Sequence, residues 1–330
     1  DVPVLGAPMA GGPGTPQLAA AVSSAGGLGF LPGGYLSAQR LAEDITTARS
    51  LTSGPLGVNL FVPQPNIADP VALDRYRAAL QELGRRYGVE PGAARWDDDA
   101  WSEKVELLLA TRPEVVSFTF ALPDPVVLAR FRAAGVTTAM TVTSVDEARA
   151  AAGFDALVVQ GPDAGGHRGT LDPARLPPRQ PLPELLTGVL RAVDIPVVAA
   201  GGIADADAVA AALRAGACAV QVGTALLCAE EAGSNAVHRA ALADPRFTET
   251  VVTRAFSGRY ARGLVNDFTR RLDPLAPPGY PEVHHMTSPI RRAAVAAGDP
   301  DGTNLWAGAG FRSARSAPAA EIVAEIGAGR

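Results

Sequence analysis

Residues 160–170 read Gln-Gly-Pro-Asp-Ala-Gly-Gly-His-Arg-Gly-Thr and set His167, one of four histidines in the chain, among four glycines. An imidazole ordinarily titrates near pH 6.5, so it can accept or donate a proton near neutrality, a service typically worth about 10²–10⁴ in rate. Gly165, Gly166 and Gly169 let the backbone fold close to a ligand with little side-chain bulk. The other histidines are less well placed: His238 lies in the helical segment SNAVHRAALAD, where a surface role is expected, and His284 and His285 sit beside a Pro-rich stretch, in position to line a lid.

Two further segments carry anion chemistry. Ala200-Gly201-Gly202-Ile203 and Gln221-Val222-Gly223-Thr224 each follow a strand pattern. Glycines there let backbone N–H groups approach a phosphate, and a helix N-terminus beginning at Asp205 to Asp207 would favour its charge. Ala7-Pro8-Met9-Ala10-Gly11-Gly12 allows a flat ligand to lie against backbone, and Asn59 and Gln160, ending their strands, offer amides suited to the polar edge of a heterocycle.

The elements that must position these residues alternate along the chain. Apolar runs at 2–9, 27–33, 55–62, 114–122, 137–143, 155–161, 195–202 and 218–224 read as eight buried parallel strands, with amphipathic helical segments between them. Eight βα units in order predict an α/β fold, a (β/α)₈ TIM barrel, whose site lies at the C-terminal strand ends with a phosphate held after strands seven and eight. A doubly wound open sheet is the alternative. Residues 1–244 are expected to form the barrel, with a helical insertion over 64–113 at its rim; 245–305 a smaller helical second domain or lid; and 306–330 a segment whose last helix returns to the barrel.

Composition narrows the classes. The net charge of −5 and pI near 5.5 leave no basic footprint for nucleic acid. Lys104 is the sole lysine, and Asp97-Asp98-Asp99 reads as a solvated helix start. Cys218 and Cys228 have no metal or disulfide spacing, so each is expected to be a buried, inert thiol and no metal site is expected. With no apolar run of spanning length or signal type, the reading is a cytoplasmic protein without a membrane partner, for which a homodimer is compatible but not required.

Taken in order, Ala-Pro-Met-Ala-Gly-Gly (7–12), Gly-Val-Asn-Leu-Phe (57–61), Ser-Phe-Thr-Phe (117–120), Ala-Gly-Gly-His-Arg-Gly (164–169), Ala-Gly-Gly-Ile (200–203), Gln-Val-Gly-Thr (221–224), Ser-Gly-Arg-Tyr-Ala-Arg-Gly-Leu (257–264), Asn266 and Leu-Trp-Ala-Gly (305–308) resemble the class I nitronate monooxygenases. The resemblance spans nearly the whole chain. It implies an FMN-containing barrel that oxidises alkyl nitronates such as propionate 3-nitronate with O₂ to carbonyl and nitrite by one-electron flavin chemistry. It places FMN contacts at Ala7, Pro8, Met9, Asn59, Gln160, Gly165, Gly202 and Gln221, Val222, Gly223 and Thr224, with Gly201 in the same phosphate turn, and the catalytic histidine at His167. His167 would hold or protonate the nitro oxygens, or take the α-proton of a neutral nitroalkane. Gly6, Asp163 and Ala309 stand where many members have Gln, Glu and Gln.

Three rivals share parts of this pattern. An FMN-dependent enoyl-acyl carrier protein reductase would have the Ala-Gly-Gly-His element and the phosphate loops but need NAD(P)H; Arg168 and the Leu-Trp-Ala-Gly tail favour the monooxygenase. A flavin-free barrel acting on a nucleoside phosphate would need a loop cysteine, and none follows strand six. A non-catalytic flavin-binding protein would keep FMN and be indifferent to loss of His167.

Overall fold

Strand alternation builds the centre of the molecule. In the computed structural model, which describes residues 2–328, eight parallel strands run β1 (Val4–Gly6), β2 (Gly29–Pro32), β3 (Leu56–Phe61), β4 (Val115–Thr119), β5 (Thr137–Val142), β6 (Ala156–Gln160), β7 (Val197–Ala200) and β8 (Ala219–Val222). They pair in the order β1-β8-β7-β6-β5-β4-β3-β2. A parallel bridge between Leu5 and Leu28 joins the two remaining edges and closes the sheet. Each expected strand is present, and that bridge excludes the open sheet.

Side chains alternate between the two faces of the barrel wall. Val158, Val198, Ala200 and Ala219 cluster inside the barrel, and the intervening Leu157, Val159, Val197, Ala199, Val220 and Val222 face the helices in the main core. The helices begin where short polar side chains can cap them: Thr15, Ser37, Asp124, Ser144 and Asp205 each accept an N–H from the first turn.

The chain after the barrel is less helical than its sequence suggests. Strands β9 (Thr250–Thr253) and β10 (Ala261–Leu264) form an antiparallel ribbon, and the two-residue strand Gly166–His167 adds to its edge, with His167 opposite Ala261. At four residues each these strands are too short to show an alternating pattern. The insertion also divides in two. Helix Pro70–Tyr87 packs with the later helices Asp267–Leu272 and Glu282–Ala296 around Tyr76, Leu80, Phe268, Met286 and Ile290, whereas Val105 and Leu108 of helix Trp101–Thr111 belong to the barrel core. Helix Ala319–Gly327 lays Ile322, Val323 and Ile326 into that same core.

Three local expectations are corrected. The acidic run is not a solvated helix start: helix Trp101–Thr111 begins after it, and Asp99 turns inward to accept the Tyr35 N–H at 2.9 Å and to meet Lys104 Nζ at 2.8 Å. His238 is buried rather than on the surface, because its helix lies under the C-terminal segment at Phe311. Cys218 is exposed, since it precedes β8 at the end of the barrel away from the packed strand interior, while Cys228 is buried.

Candidate active site

A cavity of about 240 Å³ opens at the C-terminal ends of the barrel strands. Ala7, Pro8, Met9, Asn59, Gln160, Gly165, His167, Gly201, Gly202, Gln221, Gly223 and Thr224 all line it. Val222 does not. Alternation sends Gln221 inward and Val222 outward, so only the Val222 carbonyl works at this rim, accepting the Ala7 N–H at 2.8 Å. A larger cavity, about 340 Å³, lies beyond Tyr35, Phe61 and His284, which line both, but it contains none of the strand-end residues after β6, β7 or β8. The strand-end residues converge on the inner one.

The glycines do distinct jobs. Gly201 and Gly202 adopt φ of +98° and +77°, a region that L side chains rarely enter. A Cβ on Gly165 would stand 2.5 Å from the Gly308 N, so this glycine lets residues 305–310 close over the loop. The N–H groups of Gly202, Gly223 and Thr224 are not engaged by backbone carbonyls, and the Thr224 Oγ1 accepts the Gly308 N–H at 2.9 Å. Together they form a cradle of backbone donors, the arrangement that suits a phosphate.

Loop 160–170 is held at many points, and this fixes His167. Gln160 donates from Nε2 to the His167 carbonyl at 3.1 Å and accepts the Gly169 N–H on Oε1 at 2.9 Å. Its amide therefore works first as a clamp on the loop. The Arg168 guanidinium is buried against the carbonyls of Gly161 and Gln160, and Arg259 is buried against Gln64 and Thr170, stacked over the Phe120 ring at 4.0 Å. Asn59 spends its amide donor on Ser117 and Thr119, which leaves its Oδ1 as an acceptor at the cavity wall.

His167 is partly exposed, and the surface it shows lines the cavity. The rings of Phe120, Trp306 and Tyr280 stand 5.7, 5.7 and 5.9 Å from it, centroid to centroid. Its Nε2 lies 2.8 Å from Ser257 Oγ. Burial, then the charges of Arg259 and Arg291, push its pKa down to about 3. Burial and these charges thus favour the neutral imidazole in the ligand-free cavity, a departure from a ring titrating near pH 6.5.

Several lining residues carried no strand-end signal. Tyr35, at φ +67°, stacks on His284 at 4.1 Å and nearly parallel. Arg291 and Asn304 reach the cavity from the second layer, with Ser257 and Trp306 beside them. His284, Ser288 and Arg291 fall at i, i+4 and i+7 on one helix, a spacing that marks a common face and was available in the sequence. Among the residues lining the cavity, Arg291 is the only Lys, Arg, Asp or Glu. No group of three or more metal-ligating side chains is found among the described residues, and no helix among them is long and apolar enough to cross a membrane.

Comparison with known proteins agrees with this geometry. The family model "Nitronate monooxygenase" matches residues 2–329. A probable nitronate monooxygenase of Staphylococcus aureus is 37% identical over 336 residues, covering 99% of this chain and 93% of the relative. A nitroalkane oxidase structure from Streptomyces ansochromogenes superposes with a TM-score of 0.94 at 48% identity, covering 99% of this chain and 95% of that one. FabK from Thermotoga maritima superposes at 0.74 with 29% identity, over 98% and 91% of the two chains. A closed eight-stranded barrel and a family match over residues 2–329, with a curated relative 37% identical along 99% of the chain, mean that the chain belongs to the nitronate monooxygenase family.

Proposed function

We propose that the protein binds FMN in the barrel mouth and oxidises small alkyl nitronates, of which propionate 3-nitronate is representative, with O₂. The net reaction joins a nitronate R₂C=NO₂⁻ to half an O₂ and yields R₂C=O and NO₂⁻. The observation that carries this reading is that His167 shares the lining of one cavity with Gly201, Gly202, Gly223 and Thr224.

The residues present fit the cofactor. The uncommitted N–H groups after β7 and β8 would hold its phosphate, and the cavity lining has no carboxylate to repel a phosphate dianion. Asn59 Oδ1 and the backbone of Ala7 to Met9 would meet the polar edge and face of the ring system. When bound, FMN supplies one-electron transfer between the nitronate and O₂, chemistry that no side chain can perform.

The protein's own part is to bind, orient and exclude water. Phe61, Phe120 and Trp306 line the cavity and give an apolar surround suited to a short alkyl group. His167 contributes as a neutral hydrogen-bonding group of fixed orientation. Burial and the charges of Arg259 and Arg291 lower its basicity, which disfavours α-proton removal from a neutral nitroalkane and supports the already ionised nitronate as substrate.

The test is an aerobic assay of the purified protein with preformed propionate 3-nitronate, with freshly dissolved neutral nitroalkane, and with NADPH plus an enoyl thioester, reading O₂ uptake, nitrite and the flavin spectrum. Nitrite from the nitronate at a rate well above that from the nitroalkane is expected. Colourless protein after FMN reconstitution, or flavin bleaching by NADPH with no nitrite, would sink the reading.

A further inference from the structure

A nitronate brings a full negative charge into a cavity whose lining holds a single Lys, Arg, Asp or Glu side chain, Arg291. Arg168 and Arg259, although close, are turned away and spent on loop carbonyls, and neither lines the cavity. Arg291 does line it. Its guanidinium is fixed by neutral acceptors alone: Thr287 Oγ1 at 3.0 Å from Nε, Asn304 Oδ1 at 2.8 Å from Nη1, and Ser288 Oγ at 2.8 Å with the His284 carbonyl at 3.2 Å from Nη2. None of these cancels its charge. A guanidinium has five N–H donors, and one on Nη1 remains beyond the bond to Asn304.

His284 extends the same wall. Arg291 Nη2 faces His284 Nδ1 at 3.3 Å, so Nδ1 accepts and the ring proton lies on Nε2, while stacking on Tyr35 holds the ring in place. Burial and Arg291 keep His284 neutral. The result is one preorganised cation flanked by an N–H donor, in a cavity without a single carboxylate. A fixed cation with a free N–H suits an oxyanion, such as a nitronate or a carboxylate.

We propose that Arg291 is the residue that selects the anionic substrate, setting its charge and its one uncommitted N–H against the nitronate oxygens so that the ionised form is preferred over the neutral nitroalkane. This rests on the nitronate-oxidising function proposed above. Arg291 would contribute mainly to binding, because the charge it meets is present before any bond changes.

A carboxylate is the inert isostere of a nitronate and a primary amide its neutral counterpart, so the probes are butyrate and butyramide, titrated into the FMN-loaded enzyme by calorimetry. Wild type is expected to bind butyrate about 10- to 100-fold more tightly than butyramide, the range of a charged hydrogen-bonded pair. Arg291→Gln is expected to erase that preference and Arg291→Lys to keep part of it. In turnover of propyl-1-nitronate, Arg291→Gln should raise KM by a similar factor with kcat changed only a few fold, while flavin absorbance and circular dichroism stay as in wild type.

A wild type that does not distinguish the two probes overturns the proposal, and so does an Arg291→Gln enzyme that still prefers butyrate. If Arg291→Gln fails to fold, the wild-type and Arg291→Lys titrations decide it. A wild type that prefers butyrate yet makes no nitrite from any nitronate sinks the proposed reaction and leaves the anion site standing.

Discussion

His167 Nε2 and Ser257 Oγ lie 2.8 Å apart, and the serine hydroxyl also reaches the Arg259 carbonyl at 3.1 Å. The hydroxyl sits between the Arg259 carbonyl and the imidazole and anchors Nε2 to the backbone turn. Ser257 is therefore a positioning residue that sets the tilt of the ring. Ser257→Ala should lower kcat/KM for a nitronate about 3- to 10-fold, the size of one net hydrogen bond. Flavin content should not change. Steady-state kinetics beside the absorbance ratio of flavin to protein checks this, and an unaltered kcat/KM would show that the ring is held by its aromatic neighbours alone.

A second consequence concerns pH. His167 is pushed down to about 3 and His238 to about 4, chiefly by burial in both cases. In the unfolded chain each returns to about 6.5. Between these values the unfolded state binds protons that the folded state does not, so stability rises with pH and is lost as pH falls below 6.5. Each ring contributes a slope of up to about 1.4 kcal/mol per pH unit in its window. Urea unfolding at pH 7 and pH 5 should therefore show wild type losing more stability than His167→Gln, by up to about 2 kcal/mol. In kinetics, kcat/KM for preformed nitronate should be flat from pH 6 to 9; an inflection near 6.5 would mean that the ring titrates as if exposed.

Much of this site could be read from the chain because strand ends of a parallel barrel converge on one mouth. His167, Asn59, Gln221 and the Gly201–Gly202 pair were legible for that reason. Val222 was misplaced because motif resemblance ignores which neighbour along a strand faces inward. Arg291 was not found, since it reaches the mouth through docking of a helix more than a hundred residues from His167, a tertiary event with no local pattern. The environment of His167 was hidden too: its neutrality comes from Phe120, Tyr280, Trp306, Arg259 and Arg291, all distant in sequence.

The phosphate cradle can be tested at a glycine whose backbone is unstrained. Gly223 has φ −123°, open to any residue, yet a Cβ there would meet the Ala7 Cβ at 3.2 Å and the Met9 Sδ at 3.6 Å. A valine would thus crowd the wall formed by Ala7 and Met9, which must give by a few tenths of an ångström. Gly223→Val should weaken FMN binding tenfold or more, about 1.4 kcal/mol or more. Gly153→Ala, where an added Cβ meets nothing within 4 Å, is the control and should bind FMN as wild type does. Fluorescence titration of flavin into each apoprotein, with circular dichroism to confirm the fold, gives the comparison, and equal affinities would remove the cradle from the argument.

The sole lysine supplies the last test. Lys104 is 1% exposed, and its Nζ meets Asp99 Oδ2 at 2.8 Å, an ionic contact whose angles fall short of a hydrogen bond. Asp99 also accepts the Tyr35 N–H, so this pair braces a residue that lines both cavities. Burial pushes the Asp99 carboxyl up to about 6, with Lys104 opposing the rise. The two partners should respond unequally to removal. Asp99→Asn can still accept from Tyr35, but it turns an amide toward a buried ammonium and leaves that charge unpaired, a change that costs about 3–5 kcal/mol. Lys104→Met removes the charge and fills the space, and Asp99, already raised, can take up a proton, so the loss should stay below about 2 kcal/mol. Chemical denaturation of the two variants at pH 7 separates them. Should Lys104→Met prove the more damaging, the lysine would be stabilising the fold through its packed methylenes and not through the pair.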